Sequence, residues 1–507
     1  MDDALIGASD LPPETKLAAD LEPNVRALRS ALGDTADLVV TRRTSCDKRL
    51  AFALCYLNGI IDARAIEEAV LRPLARRTPP GGRDVTLAIE ESVVDVASSK
   101  RAATMGEVVE GLLKAQGVLF IEGAAAALVL ELREWPQRQV DDPKDEAAVR
   151  GPGESFIELL ITNVALVRRH VRNRYLRVRT MEVGGETKTT VALLYLDNLA
   201  DPDLVAEVRR RIEGVGDRNI LDSAHLAGLI KDSPWSPFPL LWNTERVDRA
   251  TGYLLEGRVV ILTDGSPGAI IAPTTFFDLF AAPEDYYFSF YYGTILRFIR
   301  LINALLAMTL PPLYISLVSY NVEMLPTKLA LLIAGTRQGI PIPALIEVVL
   351  IELAMEALRE ASVRMPRAMG QTIGVVGALI LGTAAVQAGI ISNMMVIVVA
   401  VTAITSFAMP SYQLGVTTRV LKYFLVAWAA VFGTYGLVLG FSIILAHQIG
   451  LESFGVPYFS PAAPGTAKQA GSTLLRFPLF LLPHEPGYVD PLARRHGRLR
   501  KQERDYE

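Results

Sequence analysis

From Ala368 to Thr418 the chain carries no Asp, Glu, Lys or Arg, and a second uncharged run extends from Tyr423 to Leu451. A helix of an aqueous domain keeps one wet, polar face, so runs of this length are incompatible with a water-soluble fold. The C-terminal third therefore reads as an α-helical integral membrane domain. The first 290 or so residues contrast with it, having charges throughout and many Gly and Pro breaks. The opening MDDALIGASDLPPETK is acidic and has no apolar core of a secretory signal, so the N-terminal region is expected to stay in the cytosol. Cys46 and Cys55 both lie there, where a reducing environment argues against a disulfide.

The soluble region contains a repeat. Leu54-Cys-Tyr-Leu-Asn-Gly-Ile-Ile-Asp62 and Leu193-Leu-Tyr-Leu-Asp-Asn-Leu-Ala-Asp201 share an apolar run, a Tyr-Leu pair, a turn and a closing Asp. Each precedes an amphipathic helical pattern, ARAIEEAVLRPL or PDLVAEVRRRI, for which the Asp is a fitting N-cap and Pro202 a fitting first residue. Downstream, 117–132 and 257–273 each read as strand, Gly-bearing turn and strand. Two related α/β subdomains follow from this, 31–139 and 156–290, joined by an acidic linker at 140–155. Residues 1–30 are then an N-terminal extension, 291–450 the membrane domain and 451–507 a basic tail.

Motifs for catalysis are missing. The chain has no GxxxxGK[ST], no GxGxxG after a strand, no HExxH and no Cys-x-x-Cys, and its five histidines have no carboxylate at a ligand spacing. Neither enzyme activity nor a cofactor nor a metal is expected. Arg168, Arg169, Arg172, Arg174, Arg177 and Arg179 crowd around one helix end. Clustered arginines can neutralise phosphates, but no aromatic stacking pattern accompanies them. A solvated face or inter-subunit salt bridges is the expectation, and nucleic acid is not an expected partner.

The membrane half divides into apolar segments at Leu301–Val318, broken by Pro311-Pro312, then about Ile342–Leu358, Thr372–Ile391, Met394–Ala408 and Leu421–Leu445. The third and fourth are separated by so few residues that a tight antiparallel hairpin is expected. Gly370, Gly374, Ala378 and Gly382 recur every four residues, a small-residue stripe that lets helix backbones approach closely in lipid. Gly370, Gly374 and Gly382 are the expected packing and gating positions.

The second segment is the anomaly, because Glu347, Glu352 and Glu356 interrupt it. Its Leu, Ile and Val residues up to Leu353 favour insertion by roughly 4 kcal/mol in all. Each central carboxylate opposes it by roughly 2.5–3.5 kcal/mol. The acids win, so this is no solitary lipid-exposed span. On a helix Glu352, Glu356, Arg359 and Glu360 share one face and Glu347 lies nearly opposite. Glu356 and Glu360 repel at i,i+4, which Arg359, Arg364 or a neighbouring chain has to relieve. Two readings remain open: an amphipathic helix at the cytosolic surface, or a helix lining a wet, cation-attracting path between subunits. Basic residues near 359–367 and 419–422 and in the tail all read as cytosolic. Five full spans would put the tail outside, whereas a second segment that is interfacial or re-entrant restores agreement.

The stretch YNVEMLPTKLALLIAGTRQGIPIPALIEVVLIELAMEALREASVRMPRAMGQTIGVVGALILGTAAVQAGIISNMMVIVVAVTAITSFAMPSY (320–412) closely resembles the GerA-type spore germination receptor A subunit family. So do SPFPLLWNTERVDRATGYLLEGRVVILTDGSP (236–267), APEDYY (282–287) and VRGPGESFIELLITNVALVRRHVRNRYLRV (149–178). One departure is Asn321-Val322, where such proteins often carry His-Pro. The resemblance implies a subunit of a nutrient-sensing receptor in the spore inner membrane, beside a permease-like B subunit and a lipoprotein C subunit. It further implies self-association into an oligomeric, germinant-gated channel for monovalent cations. Glu347, Glu352 and Glu356 are then the candidates for cation attraction. A non-conducting receptor scaffold and a secondary transporter are the alternatives, the latter disfavoured by the small number of spans and the lack of an inverted repeat.

Overall fold

The apolar runs AFALCYL and TTVALLYL form the second strand of each of two five-stranded sheets in a computed structural model of the chain. The structure describes residues 14–45, 50–61, 63–76, 86, 89–90, 98–132, 146, 151–282, 284–364 and 382–463. In the first subdomain the order along the chain is α1 (Leu21–Ala31), β1 (Leu38–Thr44), β2 (Ala51–Leu57), α2 (63–76), β3 (Ser99–Ala102), α3 (Met105–Leu113), β4 (Gly117–Ile121) and β5 (Ala127–Leu130). The second runs α4 (Leu160–His170), β6 (Leu176–Val183), β7 (Thr189–Leu196), α5 (Pro202–Glu213), α6 (Ser223–Ile230), β8 (Trp242–Thr244), α7 (Val247–Leu255), β9 (Val259–Thr263) and β10 (Ala269–Ala272). The sheet orders are β1-β2-β4-β5-β3 and β6-β7-β9-β10-β8. They are the same path, so the repeat is a repeat of topology.

Every strand pair in both sheets is antiparallel. The helix-strand alternation that suggested an α/β class therefore serves a different end. It carries the chain to the far edge strand, β3 or β8, before returning it to the middle. Both expected hairpins form, as β4–β5 and β9–β10. Asp201 caps α5 by accepting the Asp203 amide at 2.9 Å, with Pro202 first in the helix, whereas Asp62 lies outside the described residues. Residues on alternate sides of β2 enter two cores, Phe52 and Leu54 beneath α2, and Ala53 and Cys55 beneath α1 and α3. Cys55 is a buried free thiol, and burial pushes its pKa up to about 12. Cys46 lies outside the described residues.

Residues 21–30, expected to belong to an N-terminal extension, instead make up nearly all of α1. Leu21, Val25 and Leu28 are buried against the first sheet. Each such side chain contributes about 1.5–3 kcal/mol of burial, which the sequence reading had left unassigned. The arginine run differs from a solvated face, since Arg168 and Arg177 are buried and paired within the chain. Buried Arg168 donates to Asp37 at 2.7 and 3.0 Å and to Thr35, joining α4 to the start of β1. Arg177 is buried with Asp197 at 3.0 Å, and Arg179 reaches the Gly33 and Asp34 carbonyls. Arg168 and Arg179 thus lie at the seam between the subdomains of one chain. Of the expected linker, Glu146 docks on the second subdomain, accepting from Thr244 Oγ1 at 2.6 Å and Trp242 Nε1 at 3.3 Å.

The helical half comprises α8 (Phe290–Ser319), α9 (Thr327–Arg337), α10 (Ala344–Arg364), α11 (Asn393–Phe407) and α12 (Tyr412–Ile449), with a helical piece at 382–387. The helices α8 and α12 are long and apolar enough to cross a membrane by length and composition. Pro311-Pro312 does not break α8, which runs through both. Packing tolerates the two prolines, which are themselves buried among the helices.

The last apolar segment is not one span. A straight helix of 38 residues would be roughly 57 Å long at 1.5 Å per residue. Yet Thr417 Oγ1 donates to the Pro237 carbonyl at 2.7 Å, and His447 Nε2 lies 3.0 Å from Ser236 Oγ. Both ends of α12 meet the same loop because the helix doubles back at Gly433, whose φ of 63° and ψ of −140° are non-helical. The end of α8 covers this tip: Asn321 Oδ1 accepts from Thr434 Oγ1 at 2.8 Å, and the Tyr320 hydroxyl donates to the Ala430 carbonyl.

Residues 451–463, expected to open a free basic tail, pack on the second subdomain. The two-residue strands β11 (Glu452–Ser453) and β12 (Val456–Pro457) form a hairpin. Ser453 Oγ donates to the Leu240 carbonyl at 2.6 Å, the Phe276 amide donates to the Tyr458 carbonyl at 2.8 Å, and Phe459 stacks on Phe276. One continuous apolar core runs from Val260 and Trp242 of the sheet through Phe280 to Ala304 of α8 and Leu421 and Ile444 of α12.

Candidate functional site on the acidic helix

Pro341 and Pro343 hold the chain extended before α10, and the helix starts at Ala344. Glu347 is thus in its first turn, where the helix dipole favours a carboxylate. Its side chain is fully buried. It accepts from the Ser392 amide and hydroxyl and, at 2.9 Å, from Arg337 Nη1. Ser392 caps α11 through the Met395 amide at 3.2 Å and lies 3.2 Å from the Tyr314 hydroxyl. Glu347 therefore ties together the end of α9, the start of α11 and the upper part of α8, at the end of the bundle away from the sheets.

Glu352 is also buried and is paired with Lys422 of α12. Its Oε1 has no hydrogen-bond partner among the described residues. Beside it lies a water-sized cavity with Arg359, Thr402, Ser406, Thr418 and Arg419 in its wall. Glu356 is 41% exposed, pairs with Arg359 and stands 3.7 Å from Arg419. Glu360 takes Arg364 at 2.9 Å. The expected relief of the Glu356–Glu360 repulsion is thus present within the helix.

Sequence reasoning missed the partners from other elements: Arg337, Ser392, Arg419 and Lys422. Lys422 carried a legible signal, because a lone ammonium just before a long uncharged run requires an acidic partner. With two acids, Glu352 and Glu356, facing three bases, Arg359, Arg419 and Lys422, this part of the chain is locally positive by 3 − 2 = 1.

Of the small-residue stripe, Gly370 and Gly374 lie outside the described residues. Among the described residues, the nearest atom to a methyl added at Gly382 is Val396 Cγ1 of α11, at 3.9 Å. The expected turn between the third and fourth segments is seen at Ala388–Ile391, with Gly389 at φ 67°.

A second charged cluster joins the sheets to the helices. Asp285 is fully buried between Arg297 at 3.1 Å and Arg300 at 2.8 Å, both on the first turns of α8. Nearby, Arg258 donates to both oxygens of Asp278, at 2.6 and 3.0 Å. Glu256 lies 3.3 Å from the same guanidinium, yet burial pushes its carboxyl up to about 7. The attraction is real but secondary, since Arg258 is committed to Asp278 and Glu256 Oε2 accepts no hydrogen bond. A carboxyl whose pKa is raised on folding contributes stability fully below its ordinary value near 4.5 and loses it as pH rises through 7. Glu256→Gln is therefore expected to raise the melting temperature at pH 8 and leave it nearly unchanged at pH 4. Equal shifts at both pH values in a thermal melt would remove this assignment.

The sequence model of the family described as Bacillus/Clostridium GerA spore germination protein matches residues 26–488. The chain is 34% identical over 463 residues to spore germination protein KA of Bacillus subtilis (strain 168), covering 91% of this chain and 85% of that one. It is also 34% identical over 498 residues to a B. subtilis protein named uncharacterized membrane protein YfkQ, covering 98% and 96%. The crystal structure of the N-terminal domain of the A subunit of the Bacillus megaterium spore germinant receptor GerK3 superposes with a TM-score of 0.42 at 27% identity. It covers 52% of this chain and 99% of that domain.

Proposed function

Since the chain belongs to the GerA family of Bacillus/Clostridium spore germination proteins, we propose that it is the A subunit of a nutrient-sensing germinant receptor in the spore inner membrane. It works there with a permease-like B subunit and a lipoprotein C subunit, and assembles into an oligomeric channel for monovalent cations. The observation that carries self-association is on α10. Ile346, Leu350 and Leu353 are exposed at a spacing of three and four residues, and the row continues through Ala357 to Glu360 and Arg364. A seam of this period suits packing against a second copy. Glu356 stands beside it, the most exposed of the three candidate acids.

The bundle lies in the bilayer with both its sheet-bearing region and its C-terminal hairpin toward the spore core. In support, Arg297, Arg300, Arg359, Arg419 and Lys422 all belong to the half of the helices nearer the sheets, as the positive-inside tendency requires. Gly370, Gly374 and Gly382 serve helix packing between the third segment and its neighbours, and Glu352 and Glu356 form the cation path once their basic partners swing away.

The test is cation flux through the purified chain in liposomes, wild type against Glu352→Gln/Glu356→Gln. Flux that falls in the double variant is expected. Undiminished flux would keep the channel and take the acids off its path. A second reading, a receptor scaffold that signals to another channel, is favoured by one observation: each of the three acids already has a basic partner in its own chain. A folded oligomer without flux, alone and with its partner subunits, would establish the scaffold.

A further inference from the structure

Between the second sheet and the helical bundle is a cavity of about 200 Å³. Phe276 and Phe280 wall it from the sheet side, Ala304 and Met308 from α8, and Leu421 and Ile444 from the two halves of α12. Thr417 and Thr418 are in the wall too, but their hydroxyls are used elsewhere, on the Pro237 carbonyl at 2.7 Å and the Gly415 carbonyl at 3.0 Å. Gln448 is the one other polar side chain in the wall, and a single side-chain amide falls short of the two to four polar partners that a buried water needs. Apolar cavities of about 150 Å³ stay dry and admit a benzene-sized hydrocarbon. Here there is room for that and somewhat more.

The opening is on the outer face of the bundle. Leu305 of α8 and Leu445 of α12 line the cavity, and they are also 40% and 37% exposed. A guest therefore enters sideways between these helices rather than from the aqueous side. We propose that the cavity takes the end of one lipid acyl chain, with the rest of the lipid remaining in the bilayer. The inference rests on the bundle being membrane-embedded. Because the walls come from the segment after β10, α8 and both halves of α12, the inserted chain packs against several of the elements that join the soluble region to the helices. A loosened junction would expel it.

The test uses the full chain in phosphatidylcholine nanodiscs that contain phosphatidylcholine with a diazirine at the acyl terminus. After irradiation, adducts are mapped by mass spectrometry. Adducts on Met308 and Leu421 are expected. They should be lost in Ala304→Phe, which fills the cavity, and retained in Leu329→Phe on the exposed face of α9. If Ala304→Phe fails to fold, Leu421→Ala enlarges the cavity instead and should raise the yield on Met308. Cavity adducts indifferent to both variants, or adducts only on outer positions such as Ile302 and Val438, would overturn the proposal. Labelling of the cavity by a diazirine-bearing octanol but not by the lipid would also overturn it, in favour of a free apolar solute. An absence of adducts on any helix would instead refute the membrane placement on which the inference rests.

Discussion

Gly436→Ala is expected to keep the last apolar segment from closing on itself, destabilising the folded chain by about 3 kcal/mol or more. The two halves of α12 meet backbone to backbone just below the Gly433 tip. A Cβ built on Gly436 falls deep inside van der Waals contact with the Trp428 carbonyl oxygen and 2.9 Å from Phe432 Cβ. A backbone oxygen cannot swing aside as a side-chain end can, so the halves must separate. Their separation would release the contacts of Tyr320 and Asn321 at the tip and strain those of Thr417 and His447 at the base. A graded series follows. Gly433→Ala places a Cβ 2.8 Å from Tyr320 Cβ in a glycine-favouring conformation, at a cost of about 1–3 kcal/mol. Gly440→Ala meets side chains alone, the flexible Leu425 Cδ2 at 3.0 Å and Trp428 Cγ at 3.3 Å, and Gly415→Ala meets nothing within 4 Å. Thermal unfolding in detergent should rank them in that order. A Gly436→Ala chain as stable as Gly415→Ala would show that the helix does not double back.

Lys422→Met is expected to cost about 3–5 kcal/mol, because it leaves the Glu352 carboxylate buried with no counter-charge. The lysine is itself buried, its ammonium reaches Glu352, and Glu352 already has one oxygen without a hydrogen bond. Removing both charges with Lys422→Met/Glu352→Gln should recover most of the loss, since a buried neutral amide costs far less than an unpaired buried charge. The measurement is a double-mutant cycle on the melting of the purified chain. If the single and double variants are equally destabilised, the lysine acts by packing alone. The cycle also bears on conduction. A pair that is strongly coupled in the resting protein is one that must be broken before Glu352 can meet a cation.

Legibility in the sequence followed the range of the interaction. Asp201 as a helix cap, the β4–β5 and β9–β10 hairpins and the arginines that relieve Glu356 and Glu360 are all set within a few residues, and all were readable. Arg168 and Asp37 are 131 positions apart, and Glu352 and Lys422 are 70 apart. The arginine cluster and Glu352 stood out by their charge, whereas nothing local to Asp37 or Lys422 marked either as the partner. The acidic helix was recognisable as unfit for lipid, whereas the identity of what neutralises each acid was not.

The sequence by itself determined that two repeated, charge-bearing subdomains precede an apolar helical region, because strand alternation, helix period and absence of charge are local properties of the chain. It also placed the chain in its family. Only the tertiary structure decided where residues 451–463 go. Leu421–Leu445 has the length and hydropathy of one span, and an uncharged helix looks the same whether it runs straight or folds back. The difference lies in a single non-helical residue, Gly433, and in the room that Gly436 and Gly440 leave for the opposing half. Their value appears only once the two halves are in contact, and that contact returns residues 451–463 to the sheet that α8 leaves.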